Sequence, residues 1–365
     1  MPPDWQWYNE GFRHPAAVHA YFHLSVNIMI RVGVVGCSGY TAIEVIKLLL
    51  RHPEAQIVAT TSRQADGATL GDMHPIFNER LNLVVEDLSP EQIAERCDVA
   101  FCCLPHGASA PIVSRILAKG CKVIDLSADY RLSTPELYQQ WYGEKHTDPG
   151  RLGDTPYGLP ELFRESIRSA QLIANPGCYP TSAILPLAPL LKEGLIQSHG
   201  IVVDSKSGVS GAGRTPKLGN LYPEVNESIS AYSVGTHRHQ PEIVDIVQRF
   251  SGTQPELIFT PHLVPMDRGI LSTIYVHPAE HVTANQIREF LSGYYASEPF
   301  VRVTVHLPAT KQVAHTNYCD ITVRENGNWL ILVSVLDNLI KGASGAAVQC
   351  MNLMFNQNET LGLGA

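Results

Sequence analysis

Three features of the sequence predict an α/β protein, with a doubly wound parallel sheet in the first half and a large mixed or antiparallel sheet in the second. Strand-length apolar runs alternate with helical patterns between residues 30 and 126, the pattern of a parallel sheet. The first run, Ile30-Arg31-Val32-Gly33-Val34-Val35, passes through glycines at 33, 36 and 39 into a helix predicted from Tyr40 to about Arg51. In the second half, apolar runs flank Met266-Asp267-Arg268-Gly269 and Glu325-Asn326-Gly327-Asn328, where Asn-Gly is a strong hairpin signal.

A chain of 365 residues suggests two domains. Hydrophobic residues make up 44% and charged ones 17%, which describes a soluble globular protein with large cores. A net charge of −8 argues against nucleic acid or an anionic membrane as the main partner, yet leaves room for a small anionic substrate held by a local cluster of cations. No apolar run approaches the ~20 residues of a membrane span. The eight cysteines contain no Cys-x-x-Cys pair, so reduced thiols in a cytoplasmic enzyme are the simplest reading. Residues 1–28 hold Trp5, Trp7, Tyr8, Phe12, Tyr21 and Phe22 without periodicity, and Met29 stands just before the first strand. They are expected to be a loose extension or to precede the true translation start.

In chain order, the spacing Gly33-x-x-Gly36-x-x-Gly39 departs from Gly-x-Gly-x-x-Gly, but it still forms a turn whose N–H groups can hold a pyrophosphate. The second strand, Gln56 to Thr60, runs into Thr61-Ser62-Arg63-Gln64 with no acid before Asp66. A hydroxyl and an arginine suit a ribose 2′-phosphate, so NADP is expected over NAD. The strand Asp98–Leu104 hands over to Pro105-His106-Gly107 at a carboxyl end, where ligands bind in such sheets. Lys122–Leu126 repeats the pattern and leads to Ser127-Ala128-Asp129-Tyr130-Arg131, making Arg131 either an anion holder or half of an ordinary ion pair.

The stretch Asn175-Pro176-Gly177-Cys178-Tyr179-Pro180-Thr181 follows the short strand Leu172–Ala174 and opens a helix predicted to end near Gly194. A cysteine at that handover meets unpaired N–H groups and the positive end of the helix, which favour a thiolate. A buried structural cysteine is the competing reading. Ile201–Ser205 is a strand leading into a polar loop, Ser207-Gly208-Val209-Ser210-Gly211-Ala212-Gly213-Arg214, suited to a phosphate or carboxylate. Gly235-Thr236-His237-Arg238-His239-Gln240-Pro241-Glu242-Ile243 then opens another helix. Its two histidines suit an acid–base group and an orienting neighbour, or are structural; no third ligand supports a metal. A final helix is predicted from Ala343 to about Asn356, after Asp337-Asn338-Leu339-Ile340-Lys341-Gly342.

A dinucleotide site and a nucleophilic cysteine together point to aldehyde–acyl interconversion through a thiohemiacetal and a thioester. Six motifs in order, at 36–41, 125–132, 175–181, 207–214, 235–243 and 337–342, closely resemble the N-acetyl-γ-glutamyl-phosphate reductase family of the semialdehyde dehydrogenase superfamily, from about Met29 to the C-terminus. The resemblance implies a Rossmann-type domain over 29–177 and 338–365, and a catalytic and oligomerisation domain over 178–337, the whole like glyceraldehyde-3-phosphate dehydrogenase. It implies NADPH-dependent reduction of an acyl phosphate in arginine biosynthesis, by a homodimer or homotetramer. Cys178 would be the nucleophile and His237 the acid–base group, oriented by His239 and Glu242. Gly36, Ser38, Gly39, Tyr40 and Thr41 would hold the pyrophosphate. Ser62 and Arg63 would lie near the 2′-phosphate, with Leu104, Pro105, His106, Ser207, Gly208, Gly211 and Asn338 along the cofactor. Arg131, Arg214, Lys217 and Glu242 would serve substrate. A reductase of carrier-linked α-aminoadipyl or glutamyl phosphate shares these motifs. A cysteine hydrolase with a nucleotide-sensing domain is the reading from another class, and it predicts turnover without NADPH.

Overall fold

The computed structural model describes residues 29–63 and 67–364; the expected extension over 1–28 and the acid at Asp66 lie outside the described residues. Six strands form the first sheet: β1 (Ile30–Val35), β2 (Ala55–Thr61), β3 (Val85–Glu86), β4 (Val99–Cys102), β5 (Lys122–Asp125) and β6 (Leu172–Ala174). All pair in parallel, in the order β3-β2-β1-β4-β5-β6, the order of a Rossmann-type sheet. Both faces are covered, so the strands read as nearly continuous apolar runs. Val32, Val34, Phe101 and Ile124 pack with the helix Tyr40–Leu49 and the last helix, Gly345–Met354, on one side. Ala100, Cys102 and Val123 pack with the helices Ala110–Leu117 and Pro135–Tyr142 on the other.

Seven strands form the second sheet: β7 (Ile201–Gly208), β8 (Ser230–Ala231), β9 (Leu257–Val264), β10 (Ile270–Val276), β11 (Val301–Val303), β12 (Cys319–Asn326) and β13 (Trp329–Leu336). Their order is β11-β12-β13-β10-β7-β9-β8, with β7–β9 and β11–β12 parallel and the other pairs antiparallel. Side chains alternate across the sheet with period 2. Val203, Phe259, Ile274, Leu332 and Ile321 face a core shared with the helices Cys178–Lys192, His239–Ser251 and Ala284–Tyr294. The opposite face carries the exposed Ile258 and the half-buried Val202, Tyr275, Ile331 and Val333.

Two local expectations change. Ser207 and Gly208 are not in a flexible loop but end β7, paired with Ile270 of β10 and Val264 of β9. The reason is that β7 lies between β9 and β10, so the turn at Met266–Gly269 must pass over its end. A Cβ on Gly208 would collide with the Asp267 carbonyl. In the hairpin, Asn326 pairs with Trp329, leaving Gly327-Asn328 as the two-residue loop. Gly327 has φ +60° and Asn328 stays at negative φ, the type II′ arrangement with glycine first. The last helix, expected from about Ala343, also has an irregular start. Ile340–Ser344 forms a π-helical turn before the α-helix at Gly345, and such turns recur at functional sites.

Candidate active site

Cys178 is the first residue of its helix, with Gly177 as N-cap in an extended conformation. Asn175 anchors the preceding turn, its N–H donating to Asp125 O at 2.9 Å and its Nδ2 to Ala343 O at 3.0 Å. The helix keeps Pro186 and Pro189 in its interior, and every residue from Tyr179 to Leu191 is buried. Packing, not backbone hydrogen bonding alone, therefore holds it.

Burial pushes the half-buried Cys178 thiol up to about 11, outweighing the Tyr179 N–H and the Arg131 charge that favour the thiolate. The helix end thus lowers the cost of ionising the sulfur without ionising it at rest, contrary to the simplest reading of its position. Alkylation of Cys178 by iodoacetamide in the unliganded protein should consequently keep accelerating as pH rises from 7 to 10. A plateau reached by pH 8 would mean that the helix end wins.

A neutral histidine stands beside the residues that flank Cys178. His239 lies against both chain neighbours of Cys178: a Cβ on Gly177 would come 2.6 Å from His239 Nε2, and the Tyr179 ring centroid is 5.9 Å from that of His239. Burial, then His237 and Arg131, hold His239 well below the ordinary histidine value, so it is unprotonated at neutral pH. His237 packs against Tyr179, Tyr232, Phe259 and His239. Its Nδ1 accepts the His239 N–H at 3.1 Å, and burial with Arg238 lowers it to about 4. Of the two rings, His239 is the one against Gly177, the N-cap of the Cys178 helix. Gly177→Ala should displace the His239 ring or Arg131, whose Nη1 would lie 2.9 Å from the new Cβ. Turnover should fall by ~10²-fold from misplacement of the base while the dinucleotide still binds; an alanine variant within threefold of wild type (about 0.7 kcal/mol) would contradict that.

Beneath this pair Glu242, fully buried, joins two helix starts. Its Oε1 accepts from Gly177 N (2.9 Å) and Tyr157 OH (2.6 Å), and its Oε2 from Arg131 Nη1 (3.2 Å). Arg131 also donates to Asn175 O and Leu126 O. Burial opposes the Arg131 charge, and Glu242 overrides it, leaving the guanidinium more firmly protonated than usual. Both residues thus hold the loop that presents Cys178, and no hydrogen bond joins Glu242 to either histidine ring among the described residues.

From the other side Gly342 meets Cys178: a Cβ there would lie 2.8 Å from Cys178 Cβ. The same segment reaches the first turn of the helix Tyr40–Leu49 through Ser344 Oγ, which donates to Thr41 O at 2.8 Å. Asn338 is buried, accepting from Gly269 N and donating to Ser210 Oγ, with Gly211 beside it. Ser207 is buried and donates to Gly208 O.

The glycine turn fits a pyrophosphate. Gly36 has φ +83°, and a Cβ there would meet Cys103 O at 2.8 Å. Gly39 caps the helix Tyr40–Leu49 without a side-chain hydrogen bond, and no acid lies in the first turn. Free N–H donors and a positive helix end are therefore left for an anion, with Ser38, Tyr40 and Thr41 around them. Arg214 Nη1 donates to Ser38 O at 2.9 Å. Ser62 is buried and Arg63 exposed at the end of β2. Leu104 is half-buried, while Pro105 and His106 are exposed, on a loop that Asp129 holds by accepting from Gly107 N and Ala110 N. Lys217 is exposed on the segment before His237. Tyr157 and Gly342, which contact the site, carry no sequence signal apart from glycine at 342 within the 337–342 motif.

Among the described residues no helix is long and apolar enough to cross a membrane, and no group of three or more His, Cys, Asp or Glu residues is arranged to hold a metal.

Comparison with known proteins agrees with this architecture. Residues 31–170 match the family model described as semialdehyde dehydrogenase, NAD binding domain, and 178–338 match semialdehyde dehydrogenase, dimerisation domain. The chain is 57% identical over 339 residues to a protein of Rhodopirellula baltica named N-acetyl-gamma-glutamyl-phosphate reductase, covering 92% of this chain and 98% of that one. A protein of the same name from Geotalea daltonii is 50% identical over 340 residues, again covering 92% and 98%. Among solved structures, aspartate semialdehyde dehydrogenase II of Vibrio cholerae superposes with a TM-score of 0.69 at 18% identity, covering 90% of this chain and 98% of that one. Aspartate semialdehyde dehydrogenase with NADP from Candida albicans does so with a TM-score of 0.69 at 17% identity, covering 91% and 99%. The fold is thus that of the semialdehyde dehydrogenases, a nicotinamide-dinucleotide domain joined to a mixed-sheet domain, and the chain belongs to the N-acetyl-γ-glutamyl-phosphate reductase family of oxidoreductases.

Proposed function

We propose that this protein reduces N-acetyl-γ-glutamyl phosphate to N-acetylglutamate 5-semialdehyde and phosphate with NADPH, through a thioester on Cys178. One observation carries the mechanism: an un-ionised Cys178 at a helix start, with the neutral ring of His239 against the residues on either side of it. As sulfur attacks the acyl carbon, His239 takes the thiol proton, and phosphate leaves with the electron pair of the broken C–O bond. A nicotinamide dinucleotide, when bound, would supply hydride for the thioester carbon. His239 returns its proton to the carbonyl oxygen, giving a thiohemiacetal, and the C–S bond then breaks to release the aldehyde and restore the thiol. The N–H groups at the start of the Cys178 helix favour the negative charge that develops on sulfur and oxygen. His237 orients His239 through the latter's backbone N–H.

The glycine turn and the uncapped helix Tyr40–Leu49 would hold the pyrophosphate, and Ser62 with Arg63 the 2′-phosphate of NADP. Arg63→Ser should raise KM for NADPH by on the order of tenfold, through loss of a charged hydrogen bond, and leave KM for NADH within twofold (about 0.4 kcal/mol); equal effects on both would argue against a 2′-phosphate contact. The half-exposed apolar face of the second sheet suits a homodimer or homotetramer, and light scattering that gave a monomer at micromolar concentration would reject that. Phosphate-dependent NADPH formation from N-acetylglutamate semialdehyde and NADP tests the reaction. Its absence from folded protein that binds NADP would reject the substrate assignment.

A further inference from the structure

Arg238 is the N-cap of the helix His239–Ser251 and stands between the two histidines. Its side chain reaches across to the first domain. Nη1 lies 2.7 Å from His106 Nε2, and the guanidinium carbon lies 5.0 Å from the Tyr142 ring centroid. His106 belongs to the loop after β4, and Tyr142 ends the helix Pro135–Tyr142. Among the described residues none of the ion pairs includes Arg238.

That distinguishes it from Arg131, the cation whose charge acts on Cys178. The Arg131 charge is matched by Glu242, and three of its N–H groups are taken by Glu242, Asn175 O and Leu126 O. Arg214 lies on the Ser38 carbonyl, at the glycine turn. Arg238 is exposed, flanks both histidines, and among the described residues rests on a neutral imidazole and an aromatic face, contacts that a carboxylate or phosphate can outcompete. With the positive starts of two helices joined at Glu242, Arg238 adds a positive charge at the mouth of the site that no carboxylate matches among the described residues.

We propose that Arg238 exchanges its contacts with His106 and Tyr142 for an anionic group of the substrate, its carboxylate or its phosphate, and so seats the acyl carbon against Cys178. This rests on the acyl-phosphate reading above. In the oxidative direction the two anions arrive on separate molecules, N-acetylglutamate semialdehyde and inorganic phosphate, so kinetics tells them apart.

The experiment compares wild type with Arg238→Ala and Arg238→Lys in that direction, with NADP affinity measured alongside. Loss of a charged hydrogen bond should raise one KM by ~10- to 100-fold in the alanine variant, with partial recovery in the lysine variant and NADP binding unchanged. A rise for phosphate assigns the phosphate to Arg238, and a rise for the semialdehyde assigns the carboxylate. Unchanged KM values overturn the proposal. A rise in both accompanied by weaker NADP binding also overturns it, because the contact would then only hold the two domains together. Calorimetric titration of the same proteins with inorganic phosphate and with N-acetylglutamate needs no turnover. If the wild type failed to react but the alanine variant lost one of these anions, the reaction assignment would fall and the anion site would stand. Equal anion binding by wild type and variant would overturn the site whatever the turnover.

Discussion

Cys178→Ser is expected to lower kcat by ~10⁴-fold or more, since a residue that forms the covalent intermediate has no substitute in the site. The variant should fold and bind NADP as wild type does, because serine is smaller than cysteine and fits the same half-buried position at the helix start. The size of the effect follows from the chemistry of the leaving group. An oxygen ester at 178 would hold its acyl group too firmly to be reduced to an aldehyde or displaced by phosphate, whereas a thioester is activated for both. Dehydrogenase assays over hours with high enzyme concentration would read the residual rate. Activity within tenfold of wild type (about 1.4 kcal/mol) would remove Cys178 from the chemistry.

The second large effect is on stability. Glu242→Ala leaves the Arg131 guanidinium buried without its carboxylate, and orphans the Tyr157 hydroxyl and the Gly177 N–H at the same time. Breaking a buried ion pair by removing one partner costs ~3–5 kcal/mol, which should appear as a lower urea midpoint. Activity should fall too, because the Gly177 peptide sets where Cys178 and His239 meet. Glu242→Gln keeps the volume and one acceptor and should lose less stability. If the alanine variant unfolded at the wild-type midpoint, the joint between the two helix starts would not be carrying the site.

What could be read in advance follows sequence separation. The strand, turn and helix around Cys178 are contiguous, so Leu172–Ala174, Gly177 and the helix start are visible as local signals, as are the glycine turn at 36–39 and the alternation that builds the first sheet. The partners of Glu242 lie 65, 85 and 111 residues away, and nothing local announces them. The sequence accordingly leaves Arg131 open between an anion holder and half of an ion pair, and the structure pairs it with the distant Glu242. The choice between the histidines was hidden for another reason. Both precede a helix, and only the observed start at His239 turns that ring toward Gly177. The end of β7 was misjudged because Ser, Gly and Ser read as loop residues, whereas here glycine is required by the crossing turn.

The central claim is that the acyl group passes through the sulfur of Cys178. It is tested most directly by mixing the enzyme with N-acetylglutamate semialdehyde and NADP, with phosphate omitted, and measuring NADPH and intact protein mass together. The account predicts a burst of NADPH stoichiometric with sites, and a protein heavier by one N-acetylglutamyl group attached at Cys178, which phosphate then discharges. NADPH formed with no change in protein mass, or an adduct that survives in Cys178→Ser, would contradict it.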